Sequence, residues 1–156
     1  MALLSWSNQY LIGNDTIDAE HEELFRLLND FHTRWVDAHN RQDIARVLNQ
    51  LITYAQMHFQ HEETIMADAG FQKLAEHQQI HETMVDSIFA LHKSYEEGNL
   101  HLEMDTMKFV KSWLVGHILE NDYIFRDFLA RKKTGAESIP DESLSRNTSK
   151  GATNAG

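Results

Sequence analysis

Two pairs of potential metal-binding side chains stand four residues apart, His58 with Glu62 and His77 with His81, and two further histidines, His21 and His117, each continue an apolar stripe. Four residues correspond to about 40° around an α-helix and roughly one turn along it, so both members of a pair can reach one ion or two neighbouring ions. A lone pair of this kind is usually incidental, but several ligand types at one level on core-facing positions are not. The chain has no cysteine, which removes disulfides, thiolate zinc sites, iron-sulfur clusters and thiol nucleophiles. Any metal must be held by nitrogen and oxygen, a donor set that suits iron, copper, zinc, nickel or manganese.

Such side chains meet only if long helices carry them side by side. One proline, seven glycines and abundant Leu, Glu, Gln, Met and Ala favour helix, and 156 residues with 42% apolar content suit one domain with one core. An N-terminal arm with Trp6, Tyr10 and Gly13 leads to capping residues Asn14, Asp15, Thr16 and Asp18. The first helix is expected to run to about residue 38, and its stripe of Leu24, Leu28, Phe31 and Trp35 continues backwards to His21. A second, about 43 to 66, sets Val47, Leu51 and Ala55 in line with His58 and Glu62, and Gly70 marks the next break. A third, about 71 to 97, carries Leu74, Met84 and Ile88 with His77 and His81, and Gly98-Asn99 closes it. In a fourth, about 102 to 130, Met107, Val110 and Leu114 lead to His117 and on to Ile124 and Phe128.

The expected fold is therefore all-α, an up-down-up-down antiparallel four-helix bundle, because short connections make sequential helices neighbours. Residues 1–131 are read as the domain and 132–156 as a disordered tail, rich in Ser, Thr, Asn and Gly, with the only proline at Pro140 and no aromatic residue.

Antiparallel helices joined by a short turn place residues equidistant from that turn at one height. Reflection near His39 and Asn40 takes His21 to His58; reflection through Gly70 takes His58 to His81 and Glu62 to His77; reflection through Asn99 takes His81 to His117. With a rise of roughly 1.5 Å per residue, an error of about two residues in a turn centre moves these levels by only a few Å. Five histidines and a glutamate converge on one layer, where buried polar groups all need partners and a metal satisfies them together. His32, His39, His92 and His101 have no counterpart at matching height, and His61 lies about 100° from Glu62, on a flank of the site.

A net charge of −10 disfavours nucleic acid and anionic membrane as partners. The first ten residues lack a secretory pattern, and no apolar run approaches the roughly 20 residues of a membrane span, so a cytoplasmic location is expected.

Several separated motifs carry a further signal: Trp6, Tyr10 and Gly13 followed by Ile17-Asp18-Ala19-Glu20-His21; His58-Phe59-Gln60-His61-Glu62-Glu63; His77-Gln78-Gln79-Ile80-His81; and Trp113-Leu114-Val115-Gly116-His117 with Asp122 five residues on. In these the sequence resembles the hemerythrin family, specifically bacterial hemerythrins, from about Leu4 to Ala130. The resemblance implies two iron ions per chain with an oxo or hydroxo bridge. His77, His81 and His117 would bind the filled iron, His21 and His58 the iron with an open site, and Glu62 and Asp122 would bridge. Of about twelve positions around two six-coordinate ions, these ligands and the shared bridge leave one open. Glu20 departs from relatives, which often carry glutamine before the first histidine.

Asp122 is where ideal spacing and resemblance part. It lies about 140° around a regular helix from His117, while Glu120 and Asn121 lie nearer that face. Following the resemblance requires the fourth helix to be locally distorted or to approach the site at a wide angle.

The function the resemblance implies is reversible O2 binding for storage, delivery or sensing, with O2 and an oxygen-requiring enzyme as partners, and no catalysis. The alternative is a di-iron redox enzyme: a peroxidase, an oxidase or a nitric-oxide-reducing protein. A nitrogen-rich ligand set favours binding over activation of O2, and no committed proton donor can be identified.

Overall fold

The computed structural model describes residues 3–37, 41–98 and 103–134. His39, Asn40, Asn99, His101 and the tail from residue 135 onward lie outside those residues, as does the side chain of Met107. The elements are α1 (Asp15–Asp37), α2 (Arg41–Ala69), α3 (Leu74–Glu96) and a fourth rod made of α4 (Glu103–His117), a π-helical turn (Ile118–Asp122) and α5 (Tyr123–Thr134). They form the expected up-down-up-down four-helix bundle, with α1 against α2, α2 against α3, and α4 touching both α1 and α3. No helix among the described residues is long and apolar enough to cross a membrane.

Local chemistry sets the boundaries. The Asn14 side chain caps α1 by accepting the Ile17 N–H at 3.0 Å. Asp18 turns outward instead, and its carboxylate accepts the Ile12 N–H at 2.8 Å and the Gly13 N–H at 3.3 Å. The arm, which includes a 3-10 turn at Asn8–Tyr10, is thereby fixed to the start of α1. Asn29 holds it further along by exchanging hydrogen bonds with the Leu4 backbone, and Trp6, Tyr10 and Phe25 pack ring against ring. At the end of α2, Phe71 N–H donates to Met66 and Gly70 N–H to Ala67, a Schellman closure that needs the left-handed backbone Gly70 adopts, φ 77°.

Most of the anticipated stripes are buried: Leu24, Leu28 and Phe31; Val47, Leu51 and Ala55; Met84 and Ile88; Val110 and Leu114. One is not. Ile124 was expected to continue the core face but is 42% exposed, and Phe125 is fully buried in its stead. The π turn inserts one residue between His117 and this point, so the inward face passes from Ile124 to Phe125.

The buried apolar residues fall into two clusters. A large one includes Leu24, Leu28, Leu51, Phe59, Met84, Trp113 and Leu114. A smaller one contains Ile12, Ile17, Met66, Phe71 and Phe125. The buried histidines and carboxylates occupy the helix positions between them.

Candidate metal centre

Each helix contributes to one buried polar layer. On α1, His21 lies between Ile17 and Leu24; on α2, His58 and Glu62 lie between Ala55 and Met66; on α3, His77 and His81 precede Met84; on the fourth rod, His117 and Asp122 flank the π turn. All seven anticipated residues are buried, Glu62 and Asp122 completely. Wide π hydrogen bonding over 118–122 brings a residue five positions on back towards its partner's face. Asp122 Oδ1 thus sits 3.1 Å from His117 Nε2. Glu120, favoured by ideal spacing, points to solvent.

The layer has two sides, with the carboxylates between them. Glu62 Oε1 lies 3.0 Å from His77 Nε2 and 3.1 Å from His81 Nε2, and Asp122 Oδ1 lies 3.1 Å from His77 Nε2. The opposite oxygens face the other way. Glu62 Oε2 is 3.5 Å from His21 Nε2 and 3.6 Å from His58 Nε2, and Asp122 Oδ2 is 3.1 Å from His21 Nε2. Three histidines therefore gather on one side, His77, His81 and His117, and two on the other, His21 and His58. Two sets of donor atoms are each compact enough to hold a metal ion, Glu62 with His77, His81, His117 and Asp122, and His21 with His58 and Glu62.

The hydrogen-bond pattern fits a cation. His58 Nδ1 faces Glu20 Oε1 at 2.8 Å, His81 Nδ1 faces Glu63 Oε2 at 2.7 Å, and His117 Nδ1 faces the Asn121 side-chain carbonyl at 3.0 Å. Those oxygens accept, so Nδ1 donates, and the neutral form of each ring, the one that binds metal, has its Nε2 lone pair inward. In that form His81 and His117 oppose lone pairs at 3.1 Å. Among the described residues, His58 Nε2, Glu62 Oε2 and both Asp122 oxygens have no hydrogen-bond partner, nor has His21 Nδ1. Clustered, buried acceptors of this kind are costly unless positive charge stands among them.

Electrostatics point the same way. Burial favours the neutral forms of His21 and His77, but the close approach and negative charge of the Asp122 and Glu62 carboxylates raise them to about 10 and about 9. Burial also raises the two carboxylates, and Glu62 raises Asp122 further, yet the surrounding histidines hold both well below the usual range. In the metal-free chain, protons supply the charge that the site demands.

Outside this layer, Glu20 also accepts from His61, Nδ1 to Oε2 at 2.6 Å. His61 is half-exposed and reaches no inward-facing atom, as its flank position implied. His92 lies away from the layer, 3.6 Å from Glu96. Phe59 stacks flat on His81, with centroids 3.9 Å apart, and the Trp113 indole N–H donates to the Met84 carbonyl at 2.9 Å. Sequence reasoning missed Glu63 and Asn121 as histidine partners. Asn121 had a usable signal, since it follows His117 by one helical turn.

Comparison with known proteins agrees with this architecture. The sequence model of the hemerythrin HHE cation binding domain matches residues 12–129. A bacteriohemerythrin of Methylococcus capsulatus is 33% identical over 126 residues, covering 80% of this chain and 95% of that protein. A bacteriohemerythrin of Stenotrophomonas maltophilia is 30% identical, covering 81% and 82%. The crystal structure of wild-type hemerythrin aligns with a TM-score of 0.73 at 31% identity, covering 81% of this chain and 97% of that one. A match this long, to relatives of nearly the same extent, establishes that the chain belongs to the hemerythrin family.

Proposed function

We propose that this protein binds O2 reversibly at a pair of iron ions. His77, His81 and His117 would hold one ion, His21 and His58 the other, and Glu62 and Asp122 would serve both. The observation that carries this reading is the division of labour between carboxylate oxygens: Glu62 and Asp122 each turn one oxygen to the three-histidine side and the other to the two-histidine side. Unequal histidine numbers would leave room for O2 on the side of His21 and His58.

Iron supplies the reversible electron transfer that O2 binding requires. The chain supplies the surroundings. Five neutral imidazoles and only two carboxylates favour the highest iron oxidation states less than a carboxylate-rich site does. Buried Phe59, Trp113, Leu114 and Ile118 belong to the apolar core that restricts water near the layer. Glu20, Glu63 and Asn121 keep their histidines oriented with a lone pair inward. Residues 1–131 are proposed as the unit that performs this function, with 132–156 as a tail outside it, and storage, delivery to an oxygen-requiring enzyme and sensing as its uses in the cytoplasm.

The test is O2 uptake by anaerobically reduced, iron-loaded protein. Uptake of one O2 per two irons is expected, with a charge-transfer spectrum that appears on oxygenation, disappears when O2 is removed and survives repeated cycles. Sustained turnover with product release would make the protein a di-iron redox enzyme instead. One metal per chain would overturn the dinuclear reading.

A further inference from the structure

We propose that Glu20 is a positioning residue for the metal position served by His21 and His58, one that both orients His58 and lends that position negative charge. This rests on the dinuclear reading above. Glu20 adjoins His21 in α1 but reaches across to α2, where its two oxygens meet two imidazoles, His58 Nδ1 at 2.8 Å and His61 Nδ1 at 2.6 Å. It is largely buried, and the His58 ring it holds is almost wholly so. The other side of the layer has its own carboxylate, since Glu63 accepts from His81 at 2.7 Å. His117 Nδ1 faces the neutral Asn121, and His21 Nδ1 has no partner among the described residues. Glu20 is therefore the only carboxylate found against the outer nitrogen of a histidine on the two-histidine side among the described residues.

Two effects follow from general chemistry. Accepting the Nδ1–H fixes the tautomer of His58 and raises the electron density on Nε2, so the imidazole binds metal more strongly. A negative charge held where water is scarce also favours the more highly charged metal, here the ferric over the ferrous state. Glutamine separates these effects, because its carbonyl still accepts from His58 while the charge is gone. Alanine removes both.

The experiment compares Glu20→Gln, Glu20→Ala and His61→Ala with the wild type, by anaerobic iron(II) titration against a competing chelator and by spectroelectrochemical midpoint. Wild type should take two irons. Glu20→Ala should weaken one of the two about 10–100-fold and leave the other unchanged. Glu20→Gln should retain both, with a more positive midpoint and displaced ferric absorption bands, whereas His61→Ala should keep both irons. A role confined to pairing α1 with α2 would alter melting temperature but not midpoint. Wild-type midpoint and bands in Glu20→Gln would overturn the proposal, and that variant decides the matter if Glu20→Ala fails to fold. Fewer than two irons in the wild type would overturn the dinuclear reading and this inference with it, a failure visible before any substitution is made.

Discussion

His117 and Asp122 are five residues apart, yet His117 Nε2 and Asp122 Oδ1 approach to 3.1 Å. A regular α-helix would set them about 140° apart. The π turn over Ile118–Asp122 removes that divergence, and π turns are rare enough that one placed at a candidate site is informative in itself.

Asp122→Ala should lose or disorder the metal pair, whereas Glu120→Ala, at an exposed position, should keep both metal content and visible spectrum. Iron per chain and absorption of the two purified variants check this. The reverse pattern would mean that the fourth rod is regular in solution.

The same turn sets the side-chain register beyond it. Phe125→Ala should cost about 3–5 kcal/mol of stability as a buried ring is lost, while Ile124→Ser, at a 42% exposed position, should change stability by less than about 1 kcal/mol. Denaturant midpoints compare the two directly.

The fold and most of the site were legible because short connections fix the heights of sequential helices, and apolar stripes fix their faces. Those two constraints suffice for His21, His58, Glu62, His77, His81 and His117, which the structure brings together as the reflections required. They fail after His117, where ideal spacing favours Glu120 and Ile124. An i→i+5 turn is set by tertiary packing and leaves no mark in apolar periodicity. Asp122 was therefore reached by resemblance. Glu63 was missed for another reason: it lies beside Glu62 in sequence but approaches His81 on a neighbouring helix, a contact that depends on how α2 and α3 are rotated.

His77→Ala removes an imidazole that lies against both carboxylates, at 3.0 Å and 3.1 Å. It should lower iron content and destabilise the protein by about 1–3 kcal/mol, since buried oxygens are left uncompensated. His61→Ala removes a half-exposed ring and should retain iron, with stability changed by about 1 kcal/mol or less. Parallel iron loss in both variants would contradict the assignment on α2.

The pH dependence of stability should reverse on loading. In the metal-free protein, His21 and His77 are raised from 6.5 to about 10 and about 9, so their contribution is complete below pH 6.5 and is lost as pH rises through those values. Glu62 and Asp122 are depressed, so theirs is present above the ordinary carboxylate range and is lost in acid. Metal-free protein should melt highest at roughly pH 5 to 6.5 and lower, by several degrees, near pH 9. Metal binding needs neutral imidazoles, so loaded protein should instead gain stability between pH 6 and 8. Calorimetry with chelator and with anaerobic iron(II) compares the slopes, and parallel slopes would refute the protonation scheme.

The division of the apolar interior bears on cooperativity. Ile12, Ile17, Met66, Phe71 and Phe125 form a small core separated by the polar layer from the larger one. Helices pass through both and Tyr123 packs against each, but elsewhere charged and polar side chains stand between them. A cation bound in the layer would tie all four rods together at that level and couple the two cores, so that loaded protein should unfold as one unit. Without it, the smaller core should open while the larger persists, and the melting transition should broaden.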